Sequence, residues 1–200
     1  ELLNVHQYLN DKGIKVSAVG PRYRDEANDY LSDFVRFSWV GFARARCRAL
    51  ESFVAADFLI SSGALIRMDT LNSVGAMDDS LFIDHVDTEW FLRARSMGYQ
   101  AIGACRAVML HNLGEKRRRL WILRWRMVPT HAASRYYYIF RNSILLLRRD
   151  YVDKRWRRCE ILRLIKLFIM FGIFVSPRIK HLRMMTLGVK DGLLGHNGCL

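Results

Sequence analysis

The stretch Phe82-Ile83-Asp84-His85-Val86-Asp87-Thr88-Glu89-Trp90-Phe91-Leu92-Arg93-Ala94-Arg95, with Gly98-Tyr99 behind it and the apolar run 101–110 beyond, decides the fold. Asp84 stands where it can cap a helix over about 85–97. Asp87 and Glu89 fall in the first turn of that helix, where the backbone dipole favours negative charge. Gly98 ends the helix. Residues 101–110 are apolar apart from Arg106 and read as a strand that delivers His111-Asn112-Leu113-Gly114 to a loop. A helix handed directly to a strand is an α/β signature, and loops that follow strands are where such proteins place function.

Toward the N-terminus the pattern repeats. Residues 1–13 form an amphipathic helix stopped by Gly13, and residues 14–19 a short strand closed by a turn at Gly20-Pro21. Residues 23–52 carry a weak pattern, with Arg44, Arg46 and Arg48 alternating near a strand or an extended connector. Residues 58–66 read as a strand bent at Ser61-Ser62-Gly63, and residues 68–74 as a short helix ended by Gly75.

Toward the C-terminus the character changes. Beyond Glu115, Lys, Arg, Trp, Leu and Tyr recur at helical spacing, notably over 139–149 and 155–175, which divides the chain into 1–115 and 116–200. Residues 1–100 hold 11 Lys/Arg against 14 Asp/Glu, whereas residues 101–200 hold 21 against 5, so a mildly acidic half precedes a half of net +16. Such a half is drawn to an anionic surface, either lipid headgroups or nucleic acid. The longest apolar run, 167–175, is far below the roughly 20 residues that cross a bilayer. It suits a helix lying in the headgroup layer instead. A nucleic-acid module built on Arg117, Arg118, Arg119, Trp121 and Trp125 is the non-catalytic rival. Readers of nucleic acid do not normally leave such an apolar run uncovered, so lipid is favoured and no nucleic acid is expected.

With 51% hydrophobic and 26% charged residues, the composition excludes long disorder. Cys47, Cys105, Cys159 and Cys199 are scattered without a CxxC pair, which suggests neither a zinc knuckle nor a disulfide framework and fits a reducing compartment. The opening Glu-Leu-Leu reads as a fragment of a longer protein.

Three carboxylates within six positions, Asp84, Asp87 and Glu89, are the densest chemistry in the chain. A glycosyl transfer needs a base that takes the proton of an attacking hydroxyl, and Asp87 is the candidate. The alternative is structural: Asp84 as cap, Asp87 completing a capping pair, and Glu89 bridging to Arg93 four residues on. Trp90 offers a platform for a sugar ring or a core aromatic, and Ser62 with Gly63 either an acceptor or phosphate pocket or plain packing. His111 reads as a metal ligand or diphosphate contact, or else as a hydrogen-bonded loop histidine.

Taken together these segments resemble the second half of bacterial family-2 glycosyltransferases with a GT-A fold, and most closely the rhamnosyltransferases of O-antigen and other lipopolysaccharide or surface-polysaccharide synthesis. Residues 15–21 (KVSAVGP) and 60–67 (ISSGALIR) resemble two of the family's strands. Residues 83–99 resemble its acidic "D-x-V-D-x-E-W-x-L-R-A-R-x-x-G-Y" block, residues 111–114 its "H-x-L-G", and residues 135–142 its "R-Y-Y-x-x-R-N". The resemblance implies a partial GT-A fold followed by a basic, amphipathic helical region. It places the catalytic base on Asp87, with Asp84, Glu89, Trp90, Ser62 and Gly63 supporting it or binding acceptor, and makes His111 a ligand of Mg²⁺ or Mn²⁺. It further implies dTDP-L-rhamnose as donor, a lipid-linked saccharide as acceptor, and a peripheral position on the anionic cytoplasmic face of the bacterial inner membrane. The family's nucleotide-binding strands and DxD aspartates have no counterpart here. Inactivity of these 200 residues by themselves is therefore expected.

Overall fold

The computed structural model describes residues 1–25, 30–48, 51–111, 116–122 and 124–200; within 116–129 it describes the backbone, and the side chain of Arg119 alone. The chain divides into two compact units, residues 1–78, 86–112 and 150–159 forming one, and residues 79–85, 113–149 and 160–200 the other. The expected cut near residue 115 lies outside the described residues. The division is not one cut in any case, because each unit also takes a short segment from beyond it.

The first unit is mixed α/β. Its sheet has the order β2-β1-β6-β5, built from β1 (Val16–Asp25), β2 (Tyr30–Leu31), β5 (Phe53–Ala56) and β6 (Gln100–Leu110). The central pair β1 and β6 is parallel, while β2 and β5 join antiparallel at the edges. Helix α1 (Leu2–Asp11) lays Val5 and Leu9 on Val16, Val19, Ile102 and Ala104. Helix α3 (Val86–Ser96) buries Trp90, Phe91 and Ala94 with Ala18, Phe34, Ala56, Leu59, Val74 and Ala101. Gly103 on β6 makes room for this packing, since a β-carbon there would lie 2.4 Å from the ring of Phe34.

Helices α2 (Met68–Val74) and α3 and strand β6 stand where the sequence places them. Several neighbours do not. Strand β1 runs through Gly20-Pro21 without turning, because Pro21 sits at a register shift against β6, where a residue with no N–H is tolerated. Residues 58–66 are not a bent strand. Ser61 to Ala64 form a tight turn between isolated bridges Phe58 to Val35 and Leu65 to Val19, and the true strand β5 precedes them. The indistinct stretch before it contains a hairpin, β3 (Phe34–Ser38) with β4 (Gly41–Ala45). Cys47 and Cys105 form a disulfide across 58 residues, against the expectation of reduced thiols; spacing along the chain does not reveal which residues the sheet brings together.

The second unit opens with a ribbon, not a helix. Strands β7 (Lys116–Ile122) and β8 (Arg124–Thr130) pair antiparallel, with Trp121 opposite Trp125. Residues 124–127 alternate basic with apolar or aromatic, the two-residue period of a strand, whereas residues 116–119 are an unbroken basic run. Three helices follow: α4 (Ala133–Leu147), α5 (Lys154–Ile173, whose first six residues belong to the first unit) and α6 (Arg178–Leu194). Tyr136, Ile139, Phe140, Leu164, Phe171, Val175 and Met185 form their core. Helices α4 and α6 cross closely because Gly188 and Gly192 lack side chains: a β-carbon at Gly188 would lie 2.4 Å from the carbonyl oxygen of Tyr137. No helix among the described residues is long and apolar enough to cross a membrane.

Candidate active site

The parallel strands β1 and β6 end on the same side of the first unit, the edge where α/β sheets hold their ligands. His111 continues β6 there. Its N–H donates to the carbonyl of Arg24 at 3.1 Å, and its ring meets Tyr23 edge-on with centroids 6.2 Å apart. Asn112, Leu113 and Gly114, the rest of that motif, lie outside the described residues.

Against the same two strands, at Pro21 in the middle of β1 and Met109 near the end of β6, sits the Ser61–Ala64 turn. Gly63 takes φ +71°, and a β-carbon there would come within 2.8 Å of Met109 Sδ and 3.0 Å of Pro21 Cγ, so the turn rests directly on both parallel strands. Asp87, in the first turn of α3, accepts a hydrogen bond from the Ser61 backbone N–H through Oδ2 at 3.0 Å. One contact thus joins two segments 26 residues apart in sequence. Asp87 and Ser62 are both half-buried. Beside the turn a cleft of about 250 Å³ opens between Pro21, Tyr23, Asp33, Phe34 and Ile60.

The remaining acidic-block residues have other duties. Glu89 is fully buried and takes a two-pronged hydrogen bond from Arg93, at 2.9 and 3.0 Å, and a third from the Tyr151 hydroxyl at 2.5 Å. Arg93 also donates to the carbonyls of Val74 at 2.5 Å and Ala76 at 2.7 Å, closing the end of α2. Hydrogen bonding to Glu89 raises the Arg93 pKa further above its ordinary value. The i,i+4 bridge read from spacing is therefore present, and Glu89 supports the fold without reaching the strand ends. Trp90 is likewise a core residue, with no exposed surface and its Nε1–H on the Gly75 carbonyl at 2.8 Å. It has no free face for a sugar, which corrects the stacking expectation.

Asp84 belongs to the second unit, and α3 begins two residues beyond it, at Val86. Arg135 holds it through Nε, at 3.2 and 3.1 Å, and through a terminal nitrogen at 3.0 Å. Phe82, Asp84 and His85 all adopt positive φ, between 60° and 64°, a conformation that costs energy unless the surroundings enforce it. Asn142 supplies that enforcement. Fully buried, it donates from Nδ2 to the carbonyls of Leu81, Ile83 and Asp84 at 2.9, 2.8 and 2.9 Å. Arg141 adds a bond to Leu81 at 3.1 Å while lying over the rings of Tyr137 and Tyr138. His85 Nε2 lies 3.2 Å from Glu160 Oε1 and 3.0 Å from the Ser143 hydroxyl. Burial would raise the pKa of Glu160, but His85 and Arg163 beside it hold the carboxyl well below the usual carboxylate range.

Sequence reasoning assigned no role to Arg135, Asn142, Glu160 or Arg163. The available signal was an Arg-Asn pair and an isolated glutamate inside otherwise apolar helices, since polar groups buried there must be paired.

Chemically, a half-buried carboxylate at a helix N-terminus, bonded to a turn that packs on the parallel strands, can take a proton from a bound hydroxyl. Among the described residues no group of three or more His, Cys, Asp or Glu is arranged to hold a metal ion.

This arrangement defines the class as a mixed α/β protein with a parallel-containing sheet, compatible with a glycosyltransferase-like fold. The chain is 31% identical over 193 residues to dTDP-rhamnosyl transferase RfbF of Shigella flexneri, a match that covers 96% of this chain and 63% of that relative. The chain thus spans less than two thirds of the length of the curated relative it matches. No family model matches it, and no solved structure does.

Proposed function

We propose that this chain is the acceptor-side portion of an inverting rhamnosyltransferase with a GT-A fold, working in O-antigen or related surface-polysaccharide synthesis. The observation that carries the reading is Asp87, half-buried and held by the N–H of Ser61, whose turn packs on β1 and β6. In the reaction, Asp87 accepts the proton of an acceptor hydroxyl as its oxygen attacks the anomeric carbon of dTDP-L-rhamnose. The bond to the diphosphate breaks, dTDP leaves with the electron pair, and the configuration at that carbon inverts. The turn at Ser62 and Gly63 with its neighbouring cleft receives the acceptor, a saccharide on a lipid carrier. Mg²⁺ or Mn²⁺ would neutralise the diphosphate, with His111 as one ligand and the main ligands outside these residues. The basic second half keeps the protein on the anionic cytoplasmic face of the bacterial inner membrane.

A transfer assay tests this: dTDP-L-rhamnose, Mg²⁺ or Mn²⁺ and lipid-linked acceptor extract, supplied to this chain and to a form extended N-terminally through the gene's start. Transfer by the extended form alone is the expected outcome. Transfer by neither, with both folded, would overturn the donor assignment.

A further inference from the structure

Helix α5 carries an apolar stripe that nothing in its own unit covers. Its buried side supplies Leu164 and Phe171 to the helical core. Its opposite side exposes Ile161, Ile165, Phe168, Ile169 and Ile173, with 39–55% of each residue open to solvent, and Phe174 follows at 42%. The spacing of four, three, one and four residues keeps these side chains on one face through three turns. Soluble surfaces seldom leave large apolar residues in such a row.

The charges around the stripe indicate what it meets. Lys166 is exposed beside it, and Arg178, Lys180 and Arg183 are exposed just past its C-terminal end. Between them Ile179 is 83% exposed. Glu160 is the only acidic residue from 154 to 190, and it is fully buried in its pairing with Arg163, so no negative charge interrupts this surface. A second copy of the same basic surface would be repelled. A phospholipid leaflet supplies both an apolar layer for the stripe and anionic headgroups for the cations.

We infer that the exposed face of α5, from Ile161 to Ile173, is the surface that docks on an anionic phospholipid leaflet, the helix lying in the plane of the headgroups. This deepens the membrane part of the reading above by naming the face.

The test is co-sedimentation of this chain with vesicles of phosphatidylglycerol and phosphatidylethanolamine, and with vesicles of phosphatidylcholine alone. Binding should be at least about tenfold tighter to the anionic vesicles. Ile165→Ser with Phe168→Ser should weaken it about tenfold or more, because two apolar side chains no longer enter the leaflet. Lys166→Gln should weaken it about fivefold, and less at high salt. Both variants change exposed residues, and an unchanged circular dichroism spectrum confirms their fold. Undiminished binding by the Ile165/Phe168 variant would overturn the proposal in favour of charge attraction alone. Lipid-free dimers that the same variant abolishes, and that vesicles do not dissociate, would overturn it in favour of a second copy. Vesicle binding needs no donor sugar, so a failed transfer assay leaves this result standing, and transfer without stripe-dependent binding removes this inference alone.

Discussion

Asp84 and Asp87 are three residues apart in one acidic block and are held in opposite ways. Asp84 is pinned by the Arg135 guanidinium on a backbone of positive φ, within the helical unit. Asp87 accepts one backbone N–H, begins a regular helix and keeps part of its surface in the α/β unit. A carboxylate bridged to an arginine has its oxygens engaged in charge-assisted bonds. A carboxylate with one neutral donor keeps an oxygen for another partner. The contrast separates a residue that shapes the chain from one that is available to a substrate.

The strongest test replaces Asp87 by Asn in the N-terminally extended form. Asn keeps the shape and can still accept from Ser61, but cannot take the proton. We expect transfer to fall by about 10²–10⁴, the usual contribution of a general base, with the acceptor KM little changed. Turnover within about threefold of the parent would end the assignment of Asp87 as base.

Next come the two fully buried carboxylates, Glu89 in the α/β unit and Glu160 in the helical one. Each faces an arginine on its own helix, Arg93 and Arg163. Glu160→Gln should destabilise the protein by about 1.5–3 kcal/mol in urea unfolding, because buried charge-assisted bonds are lost while Arg163, 32% exposed, can still be solvated. Since the folded pKa of Glu160 is depressed, its contribution is fully present above the unfolded value near 4.3 and fades as pH falls below it. Stability of the parent should therefore drop more steeply than that of Glu160→Gln on acidification below about pH 4. Parallel acid profiles would show that the carboxylate is not held as described.

Asn142→Ala should cost about 1–3 kcal/mol, since three carbonyls of the strained segment lose their donor together. A variant as stable as the parent would mean that residues 81–84 keep their conformation without it.

What was legible in the sequence follows from the range of the forces involved. Helices α2 and α3 were readable because Gly75 and Gly98, both at positive φ, end them locally. Strand β6 was readable because an apolar run of this length, after a helix stop, has few other forms. The Cys47–Cys105 disulfide, the β3–β4 hairpin and the continuation of β1 through Pro21 depend on which strands become neighbours, and a linear pattern does not encode that. At the candidate site, the acidic block was legible as a cluster of carboxylates. The roles of its members could be sorted only by partners 4 to 62 residues away: Arg93 and Tyr151 for Glu89, Arg135 for Asp84, and Ser61 for Asp87.

The smallest expected effect is the one that most sharpens the contrast between the two aspartates. Asp84→Asn keeps an oxygen toward Arg135 and suits the positive φ, which Asn adopts more readily than most residues. It removes only the charge. Because the Arg135 side chain is 41% exposed, solvent screens the pair and its loss should cost only about 0.5–1.5 kcal/mol. Transfer by the extended form should stay within about threefold of the parent, against the 10²–10⁴ loss at Asp87. If Asp84→Asn instead lowered turnover as far as Asp87→Asn while leaving stability intact, the division between a shaping and a reacting carboxylate would collapse. Both residues would then have to act on the acceptor hydroxyl.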